Sequence, residues 1–366
     1  MSFRPTVAVV DLDAIAHNAR RLKPSDAELM AVVKADAYGH GAVPVARTAL
    51  AAGASWLAVA LVEEGLDLRD AGVEAPILVL TEVPRGAEKD ALAAGLTPTV
   101  YTGEGIARLA AAGSAGAIRC HLKVDTGMHR VGARPEDALP LCRDAAEHGL
   151  EVEGIWTHLA VADEVGHEAT RGQLERFGQV VEALRSAGFD PRYRHAANSA
   201  AALTLPEARF DLVRAGIALY GIAPSSEVGS EGLRRAMSLR SRVAFVKRVE
   251  AGEALSYGLR YRLERDAWIA TVPIGYADGY TRRLSGRGRV LVRGVRRPIA
   301  GTVTMDQILV DCGDEEVAPG EEVVLFGRQG HEEITAEEVA EWSGTIGYEV
   351  VCAVGARVPR EHRGGA

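Results

Sequence analysis

The feature that most restricts the fold is a pattern that repeats from about Leu29 to Val213. A short apolar run is followed by a loop and then by an Ala-rich amphipathic stretch, which is typical of strands alternating with helices. Eight such alternations suit a closed parallel barrel of the TIM type, a (β/α)8 barrel. An open, doubly wound sheet is the alternative. No Gly-x-Gly-x-x-Gly follows its first strand, which weakens a dinucleotide-binding version of that fold.

The predicted strands of this part have short apolar cores. They are Leu29–Val33, Trp56–Ala60, Ile77–Leu80, Thr97–Val100, Ile118–Val124, Val152–Thr157, Tyr193–His195 and Phe210–Val213. The predicted helices between them are Ala42–Ala52, Glu63–Ala71, Glu104–Ala112, Glu136–His148, Thr170–Ala187 and Ser199–Leu203.

The pattern changes after about Met237, where helical periods become rare and short apolar runs alternate with Gly and Arg. This predicts a second, mainly antiparallel β domain with little helix except at Thr335–Ser343. The opening strand, Thr6–Val10, is expected to associate with this domain. We therefore divide the chain into residues 1–10, a barrel over 11–237 and a β domain over 238–366. The predicted strands of the second domain are Val243–Val249, Trp268–Pro273, Arg289–Val292, Gln307–Asp311 and Glu322–Phe326.

The composition excludes several classes of protein. With 366 residues, of which 47% are hydrophobic and 25% charged, the chain is globular and long enough for two domains. Its formal net charge of -8 argues against a nucleic acid or an anionic membrane as partner. No apolar run approaches the ~18 residues of a membrane span, and the first residues lack the apolar core of a signal peptide. The scattered cysteines Cys120, Cys142, Cys312 and Cys352 predict reduced, mostly buried thiols in a cytoplasmic protein.

Lys34 ends one of the apolar runs. The stretch is Met30-Ala-Val-Val-Lys34-Ala-Asp-Ala-Tyr38-Gly-His-Gly, so a Gly-rich turn follows the lysine at once. An amine pressed against an apolar wall loses hydration, is more easily neutral, and can then attack a carbonyl. Tyr38 could turn its hydroxyl toward an anion beside that amine. The alternative is a strand that ends in a lysine whose ammonium reaches solvent.

The predicted strand ends carry polar or cationic side chains, and a barrel enzyme places its reactive groups at these ends. Because most of them are cations, we expect an anionic ligand, and a small phosphate fits best. Ser199, Tyr38 and the backbone N–H groups of Gly216 and Ile217 would hold it. The residues at these ends are Lys34, Tyr38, Lys123, Arg130, His158, Asn198, Ser199, Arg214, Gly216 and Ile217.

One segment resembles the cofactor-attachment signature of the bacterial alanine racemases, which are pyridoxal-phosphate (PLP) enzymes of fold type III. It is Val33-Lys34-Ala-Asp-Ala-Tyr38-Gly-His-Gly. Similar segments follow in the family's order along the whole chain, and the complete series is a specific signal. They are Lys123-Val-Asp-Thr-Gly-Met128-His-Arg130-Val-Gly, Thr157-His158-Leu-Ala, Asn198-Ser199, Arg214-Ala-Gly216-Ile217-Ala-Leu-Tyr220-Gly, Ser256-Tyr257-Gly, Ile274-Gly-Tyr276-Ala-Asp-Gly, Thr304-Met305-Asp306-Gln and Thr345-Ile-Gly-Tyr348-Glu.

The resemblance implies a role for each matching residue. Lys34 would carry PLP and move a proton on one face of the substrate, and Tyr257 would serve the opposite face, with His158 and Arg214 as its partners. Both bases need positive neighbours, because unperturbed pKa values near ~10 are too high for an efficient base at neutral pH. Arg214 would also face the ring nitrogen of the cofactor and, as a permanent donor, keep that nitrogen unprotonated. Without the resemblance, Tyr257 is more simply a β-domain tyrosine with a satisfied hydroxyl, and Arg214 a surface residue.

The remaining site residues follow from the same resemblance. Arg130 would contact the substrate carboxylate or the cofactor's phenolic oxygen. Lys123 is carbamylated in many family members; an ordinary lysine with a bound anion is the equal alternative. Met305 and Asp306 would approach the substrate carboxylate, although Asp306 could equally be a turn residue. Tyr348 would contact the phosphate and narrow the pocket.

Five histidines are interpreted as structural or exposed, and their spacing makes no metal site. They are His17, His40, His121, His129 and His195. His121 and His129 flank the Lys123 segment and are expected to face solvent.

We therefore expect an amino-acid racemase that acts on alanine and supplies D-alanine for peptidoglycan. A broader serine and alanine racemase is an alternative, because an apolar pocket discriminates weakly against one added hydroxyl. An amino-acid decarboxylase of the same fold is another, but it should place a carboxylate where Arg214 stands. A PLP carrier without activity would leave the second domain without a role. The resemblance also implies a head-to-tail homodimer in which Tyr257, Met305 and Asp306 enter the partner's site.

Overall fold

The computed structural model describes residues 4–113 and 118–365. Residues 1–3, with which the predicted N-terminal segment begins, and residue 366, with which the predicted β domain ends, lie outside the described residues. The described chain forms two compact units. The barrel unit comprises residues 14–37 and 41–234, and the β unit comprises the described residues up to 13, residues 38–40 and the described residues from 235 onward.

Strands and helices alternate through the first part of the chain. They are β1 (Val7–Asp11), α1 (Leu12–Leu22), β2 (Glu28–Val32), α2 (Lys34–Gly39), α3 (Ala42–Ala51), β3 (Trp56–Val59), α4 (Val62–Asp70), β4 (Ile77–Glu82), α5 (Glu88–Ala93), β5 (Thr97–Val100), α6 (Gly103–Ala112), β6 (Ile118–Lys123), α7 (Ala138–Glu147), β7 (Leu150–Trp156), α8 (Glu168–Ser186), β8 (Tyr193–His195), α9 (Ser199–Thr204) and β9 (Leu212–Ala215).

Among residues 4–113 and 118–365, eight parallel strands form the sheet of the barrel unit, in the order β8-β7-β6-β5-β4-β3-β2-β9. The β2–β9 pairing places the last strand beside the first. Between β8 and β9 the backbone is linked by the N–H of Asp211, which donates to the carbonyl of Arg194 at 3.0 Å, and that of Arg214, which donates to the carbonyl of Ala197 at 3.1 Å. The ring is therefore nearly closed, which confirms the predicted barrel and excludes the open sheet.

Strands dominate the second part of the chain. They are β10 (Met237–Arg242), β11 (Phe245–Val249), β12 (Ala254–Leu255), β13 (Tyr261–Arg262), β14 (Ala267–Val272), β15 (Arg289–Val292), β16 (Val295–Pro298), β17 (Ile308–Asp311), β18 (Glu322–Gln329), β19 (Glu332–Ile334) and β20 (Arg360–Arg363), with the helices α10 (Ala336–Ser343) and α11 (Gly347–Cys352) before β20.

The β unit is mainly antiparallel, as predicted. Its largest sheet has the order β16-β15-β18-β10-β1-β20, with β19 added to β18. β1 pairs antiparallel with β10 and parallel with β20. The helix expected near Thr335 is present, because the Thr335 hydroxyl accepts from the N–H of Glu338 and the Glu338 carboxylate accepts from the N–H of Thr335. A second helix, α11, was not expected.

Three local features differ from the prediction. The helices α1 and α5 were not predicted. The last barrel strand begins at Leu212 rather than Phe210, because Phe210 has a left-handed φ of 47° that a strand does not accommodate. Arg214 consequently lies inside β9 and not beyond its end. Within the described part of the chain, no helix combines the length and apolarity needed to cross a lipid bilayer.

Candidate active site

The carboxyl ends of the barrel strands bring the predicted cationic residues together. Lys34 follows β2, Lys123 ends β6, His158 follows β7 and Arg214 lies in β9. Burial, followed by the charges of Arg214, Arg130, Lys123 and Lys34, lowers the pKa of His158 well below its ordinary value. These five groups therefore interact electrostatically at one end of the barrel, as expected for the active end of this fold.

The segment after Lys34 is a turn of left-handed helix. The φ angles of Ala35, Asp36, Ala37 and Tyr38 are 52°, 52°, 53° and 53°. For residues with a side chain this conformation costs roughly 1–2 kcal/mol each, so it persists only where its surroundings impose it. The sequence predicted a Gly-rich turn here, but four successive residues other than Gly gave no signal for left-handed backbone.

Hydrogen bonds at both ends hold this turn in place. The N–H of Ala35 donates to the Glu64 carboxylate at 2.6 Å, and the N–H of Ala42 donates to the Asp36 carboxylate at 2.7 Å. Glu64 also accepts from the N–H groups of Ala60 and Leu61. The first turn of α4 thus fixes the backbone directly after Lys34.

The structure pairs Tyr38 with Tyr348 inside the β unit. Their ring centroids are 6.3 Å apart, and Tyr348 lies on α11. Tyr38 is only 8% exposed, and burial, then the neighbouring Tyr348, raises the pKa of its phenol. Its hydroxyl therefore stays protonated and can act as a hydrogen-bond donor.

Ser199 organises the backbone after β9. Its hydroxyl accepts from the N–H of Gly216 at 2.9 Å and from that of Ala218 at 3.2 Å. The Asn198 side chain caps α9 by accepting from the N–H of Ala201 at 3.1 Å. The Ser199 hydroxyl and the N–H of Gly216 were both expected to bind a phosphate. In the structure the N–H of Gly216 donates to the Ser199 hydroxyl instead. Ile217 begins the short 3-10 helix that follows.

Arg214 is buried in the barrel. Its guanidinium is 4% exposed, lies 4.8 Å from the Trp156 ring centroid and donates to the carbonyls of Thr157, His195 and Ala196 at 2.8, 3.1 and 3.0 Å. It also reaches Nδ1 of His195 at 2.9 Å and Nδ1 of His158 at 3.4 Å. Burial lowers the pKa of Arg214 to about 9, so the group stays charged at neutral pH. A surface arginine is excluded.

Lys123 is a second buried cation. It is 4% exposed, and its Nζ lies 4.3 Å from the Trp156 ring centroid. Burial, then the charges of Arg130 and Arg214, lowers the pKa of Lys123 to about 7, although Asp125 opposes the shift. Loss of the proton from this amine is therefore much easier than from an exposed lysine.

Tyr257 lies on a constrained loop of the β unit. Ser256 and Leu259 have left-handed φ angles of 61° and 49°. Ser256 donates to the carbonyl of Thr302 at 2.8 Å, and Thr302 donates to the carbonyl of Tyr257 at 2.7 Å. The Tyr257 side chain is 73% exposed, and its hydroxyl makes no hydrogen bond to any described residue. The interpretation as a tyrosine with a satisfied hydroxyl is therefore excluded.

Met305 and Asp306 form a turn beside that loop. The Thr304 hydroxyl donates to the carbonyl of Gln307 at 2.7 Å and closes the turn. Met305 is 52% exposed, and Asp306 pairs with Arg357 at 2.8 Å. The backbone of Asp306 is that of a turn residue, and its carboxylate is held by Arg357.

One histidine was misjudged from the sequence. His121 was expected to face solvent, but His121 and His195 are both fully buried, and Nδ1 of His121 lies 2.9 Å from Nε2 of His195. A signal was present, since His121 and Lys123 are two residues apart on one strand and share a face. Conversely, the side chain of His129 is 87% exposed, as expected.

The cysteines follow the prediction in part. Cys120, Cys142 and Cys312 are buried, and Cys352 is exposed. Cys120, Cys142 and Cys312 are free thiols.

The comparisons with known proteins agree along the whole chain. The family model for the N-terminal domain of alanine racemase matches residues 10–224, and the model for its C-terminal domain matches residues 236–362. A curated alanine racemase from Symbiobacterium thermophilum is 51% identical over 369 residues, which is 99% of this chain and 98% of the relative. One from Thermobifida fusca is 47% identical over 365 residues, 98% of each chain.

Solved structures give the same result. The alanine racemase of a D-cycloserine-producing Streptomyces lavendulae has a TM-score of 0.96 at 44% identity, covering 100% of this chain and 99% of its own. The Bacillus anthracis alanine racemase with bound L-Ala-P has a TM-score of 0.91 at 43% identity, covering 100% and 97%. The chain belongs to the alanine racemase family.

Proposed function

We propose that this protein interconverts L-alanine and D-alanine with PLP carried on Lys34, and so supplies D-alanine for peptidoglycan in the cytoplasm. In this proposal residues 11–237 bind the cofactor and residues 238–366 provide the second base. The observation that carries the proposal is the buried, permanently donating guanidinium of Arg214 among the cations Lys34, Lys123 and Arg130.

The donor set fits this cofactor. PLP is anionic, and the carboxyl end of the barrel presents cations and the Ser199 hydroxyl, whose oxygen accepts from the N–H of Gly216 and whose proton can therefore point to a ligand. Nε of Arg214 makes no hydrogen bond to any described residue, so one edge of the guanidinium can donate to the ring nitrogen. Tyr38, Asn198, Ile217 and Tyr348 complete the proposed cofactor contacts. When bound, PLP supplies the electron sink that acidifies the Cα–H bond of an attached amino acid.

Arg214 favours racemisation over the decarboxylase alternative. An arginine donates to the ring nitrogen and leaves it unprotonated, which weakens the electron sink. A weaker sink favours prompt return of the proton to Cα over side reactions. A carboxylate at this position would keep the ring nitrogen protonated and strengthen the electron sink.

Lys34 and Tyr257 are proposed to move the proton on opposite faces. His158 assists Tyr257 as a neutral hydrogen-bond donor rather than as a cation, because its pKa is far below 7. Its Nδ1 faces Arg214, which can only donate, so Nε2 carries the ring proton. That Nε2–H can stabilise a phenolate, while the charge of Arg214 favours loss of the phenol proton.

A head-to-tail homodimer is proposed to complete each site. Tyr257, Met305 and Asp306 would enter the site of the partner subunit, where Arg130 and the latter two contact the substrate carboxylate. The exposure of Tyr257 and Met305, at 73% and 52%, supports an interaction surface there. Tyr348 would favour alanine over larger side chains, whereas serine differs by one hydroxyl and would be rejected only weakly.

Lys123 is proposed to react with carbon dioxide. Its neutral amine forms an N–C bond and releases one proton, leaving a carbamate whose negative charge would orient Arg130. Because the pKa of Lys123 is about 7, we expect the modified fraction to rise from pH 6 to pH 8 and to be lost as the amine protonates. Carbon-13 NMR in labelled bicarbonate should show a carbamate carbonyl signal with this pH dependence.

The matched controls for this experiment are Lys123→Arg, which should abolish the carbamate signal, and Lys247→Arg at an exposed lysine, which should keep it. A signal that persists in Lys123→Arg contradicts the assignment. No signal, together with activity that depends on added chloride, favours the bound anion.

The attachment of the cofactor provides the test of the proposed function. The holoenzyme should show the absorbance of a lysine-bound cofactor, and borohydride followed by peptide mapping should place the label on Lys34 alone. Lys247→Arg should give the same map, whereas Lys34→Arg should give none. Label on any residue other than Lys34 would contradict the proposal. The proposal would also be contradicted if the same holoenzyme, assayed before borohydride treatment, did not racemise alanine.

A further inference from the structure

A row of buried polar side chains continues from Arg214 into the barrel. Nη1 of Arg214 lies 2.9 Å from Nδ1 of His195, and Nε2 of His195 lies 2.9 Å from Nδ1 of His121. Nε2 of His121 makes no hydrogen bond to any described residue, and an oxygen of the Glu153 carboxylate lies 3.8 Å from it. Both histidines are fully buried. The row ends at a cavity of about 630 Å³ lined by Glu153 together with residues at the starts of several barrel strands.

The backbone is adapted to this row. A Cβ on Gly154 would lie 2.5 Å from Nδ1 of His121, so the glycine leaves the space that the imidazole occupies. The register between β6 and β7 pairs Cys120 with Val152 and His121 with Gly154, which leaves Glu153 as an extra residue. A bulge of this kind redirects a side chain, and here it turns the carboxylate toward His121.

The donors and acceptors fix a single protonation pattern. Arg214 can only donate, so Nδ1 of His195 must accept and its Nε2 must carry the proton. That Nε2–H donates to Nδ1 of His121, so the proton of His121 is on Nε2, facing Glu153. Burial, then the charge of Arg214, lowers the pKa of both imidazoles, and both are therefore neutral.

We propose that His121, whose Nδ1 accepts from the Nε2–H of His195, is a positioning residue that keeps His195 in the tautomer that can accept from Arg214. The opposite tautomer of His195 would place two N–H donors 2.9 Å apart and push the guanidinium out of position. The consequence for catalysis rests on the proposed function, in which Arg214 meets the ring nitrogen of the cofactor.

The tautomers can be measured directly. In holoenzyme labelled with nitrogen-15 histidine, His121 and His195 should each show a protonated Nε2 and an unprotonated Nδ1 between pH 6 and pH 8. A protonated Nδ1 or an imidazolium at either residue would overturn the inference. The tautomer measurement does not depend on activity. If the reduced cofactor were attached to a residue other than Lys34, the proposed function would be refuted, but the tautomers of His121 and His195 would stay as assigned.

Two substitutions separate positioning from simple packing. His121→Asn keeps an acceptor near the place of Nδ1, whereas His121→Leu removes it. We expect His121→Leu to lower kcat about tenfold to 100-fold, as loss of an orienting group commonly does, to change the tautomer of His195 and to leave KM within about twofold. His121→Asn should recover most of kcat and the His195 tautomer.

Glu153→Gln is the matched control, because Nε2 of His121 makes no hydrogen bond to Glu153. It should keep the fold, because the carboxylate is at the rim of the cavity, and should leave kcat within about twofold and both tautomers unchanged. Equal kcat in His121→Asn and His121→Leu, or an unchanged His195 tautomer in His121→Leu, would show that the row only fills space.

Discussion

Replacing Tyr257 with phenylalanine should abolish net racemisation while leaving Cα proton exchange intact for one enantiomer. Without the phenol, the face opposite Lys34 has no group that can remove or return a proton. Lys34 still exchanges the proton on its own face, so one enantiomer should incorporate solvent deuterium without inversion. Loss of one acid–base group typically costs ~10²–10⁴ in rate, and we expect racemisation to fall by that amount.

The measurement combines proton NMR in deuterium oxide, which follows loss of the Cα–H signal, with chiral separation of the product. Tyr261→Phe is the matched control, because Tyr261 lies four residues along the chain and donates to Asp311. It should racemise within about twofold of the unchanged protein. Loss of exchange for both enantiomers in Tyr257→Phe, or racemisation at the original rate, would contradict the role given to the phenol.

The fold could be predicted from the sequence because its signals are periodic and local. Each barrel strand contains buried positions, and β3 is buried at all four. A run of this kind followed by an amphipathic stretch repeats eight times, and the parallel order follows from that alternation. The helix α1 shows the limit of this approach, since it precedes the first repeat and was missed although Ile15, Ala19 and Leu22 form a buried stripe.

The candidate site was predicted less completely, for two physical reasons. The left-handed turn over residues 35–38 is imposed by partners such as Glu64, which lies 29 residues from Ala35 and has no local signature. The row beyond Arg214 depends on register, because a single extra residue at Glu153 decides where that carboxylate points. Strand-end reasoning found Lys34 and Lys123, but it gave His195, which ends β8, no link to Arg214, because that contact depends on how the strands pack inside the barrel.

The shared site predicts that two inactive chains restore activity when they are combined. In a heterodimer of a Lys34→Ala chain with a Tyr257→Phe chain, one site carries both substitutions and the other carries neither. Random pairing places half of the dimers in this mixed form, so about a quarter of the original activity should return in the unseparated mixture. The purified heterodimer, with one intact site of two, should show about half. Each variant alone should remain inactive, since both of its sites lack one base.

Co-expression of the two variants with different affinity tags, followed by purification through both tags, gives the heterodimer for this measurement. The matched control combines Lys34→Ala with Arg214→Gln, two substitutions in the barrel unit, and should regain nothing because neither site then has both residues. Recovery of activity with Tyr257→Phe and none with Arg214→Gln is the predicted result. If neither pair regains activity, the amine of Lys34 and the phenol of Tyr257 do not act together across two subunits, and the account is contradicted.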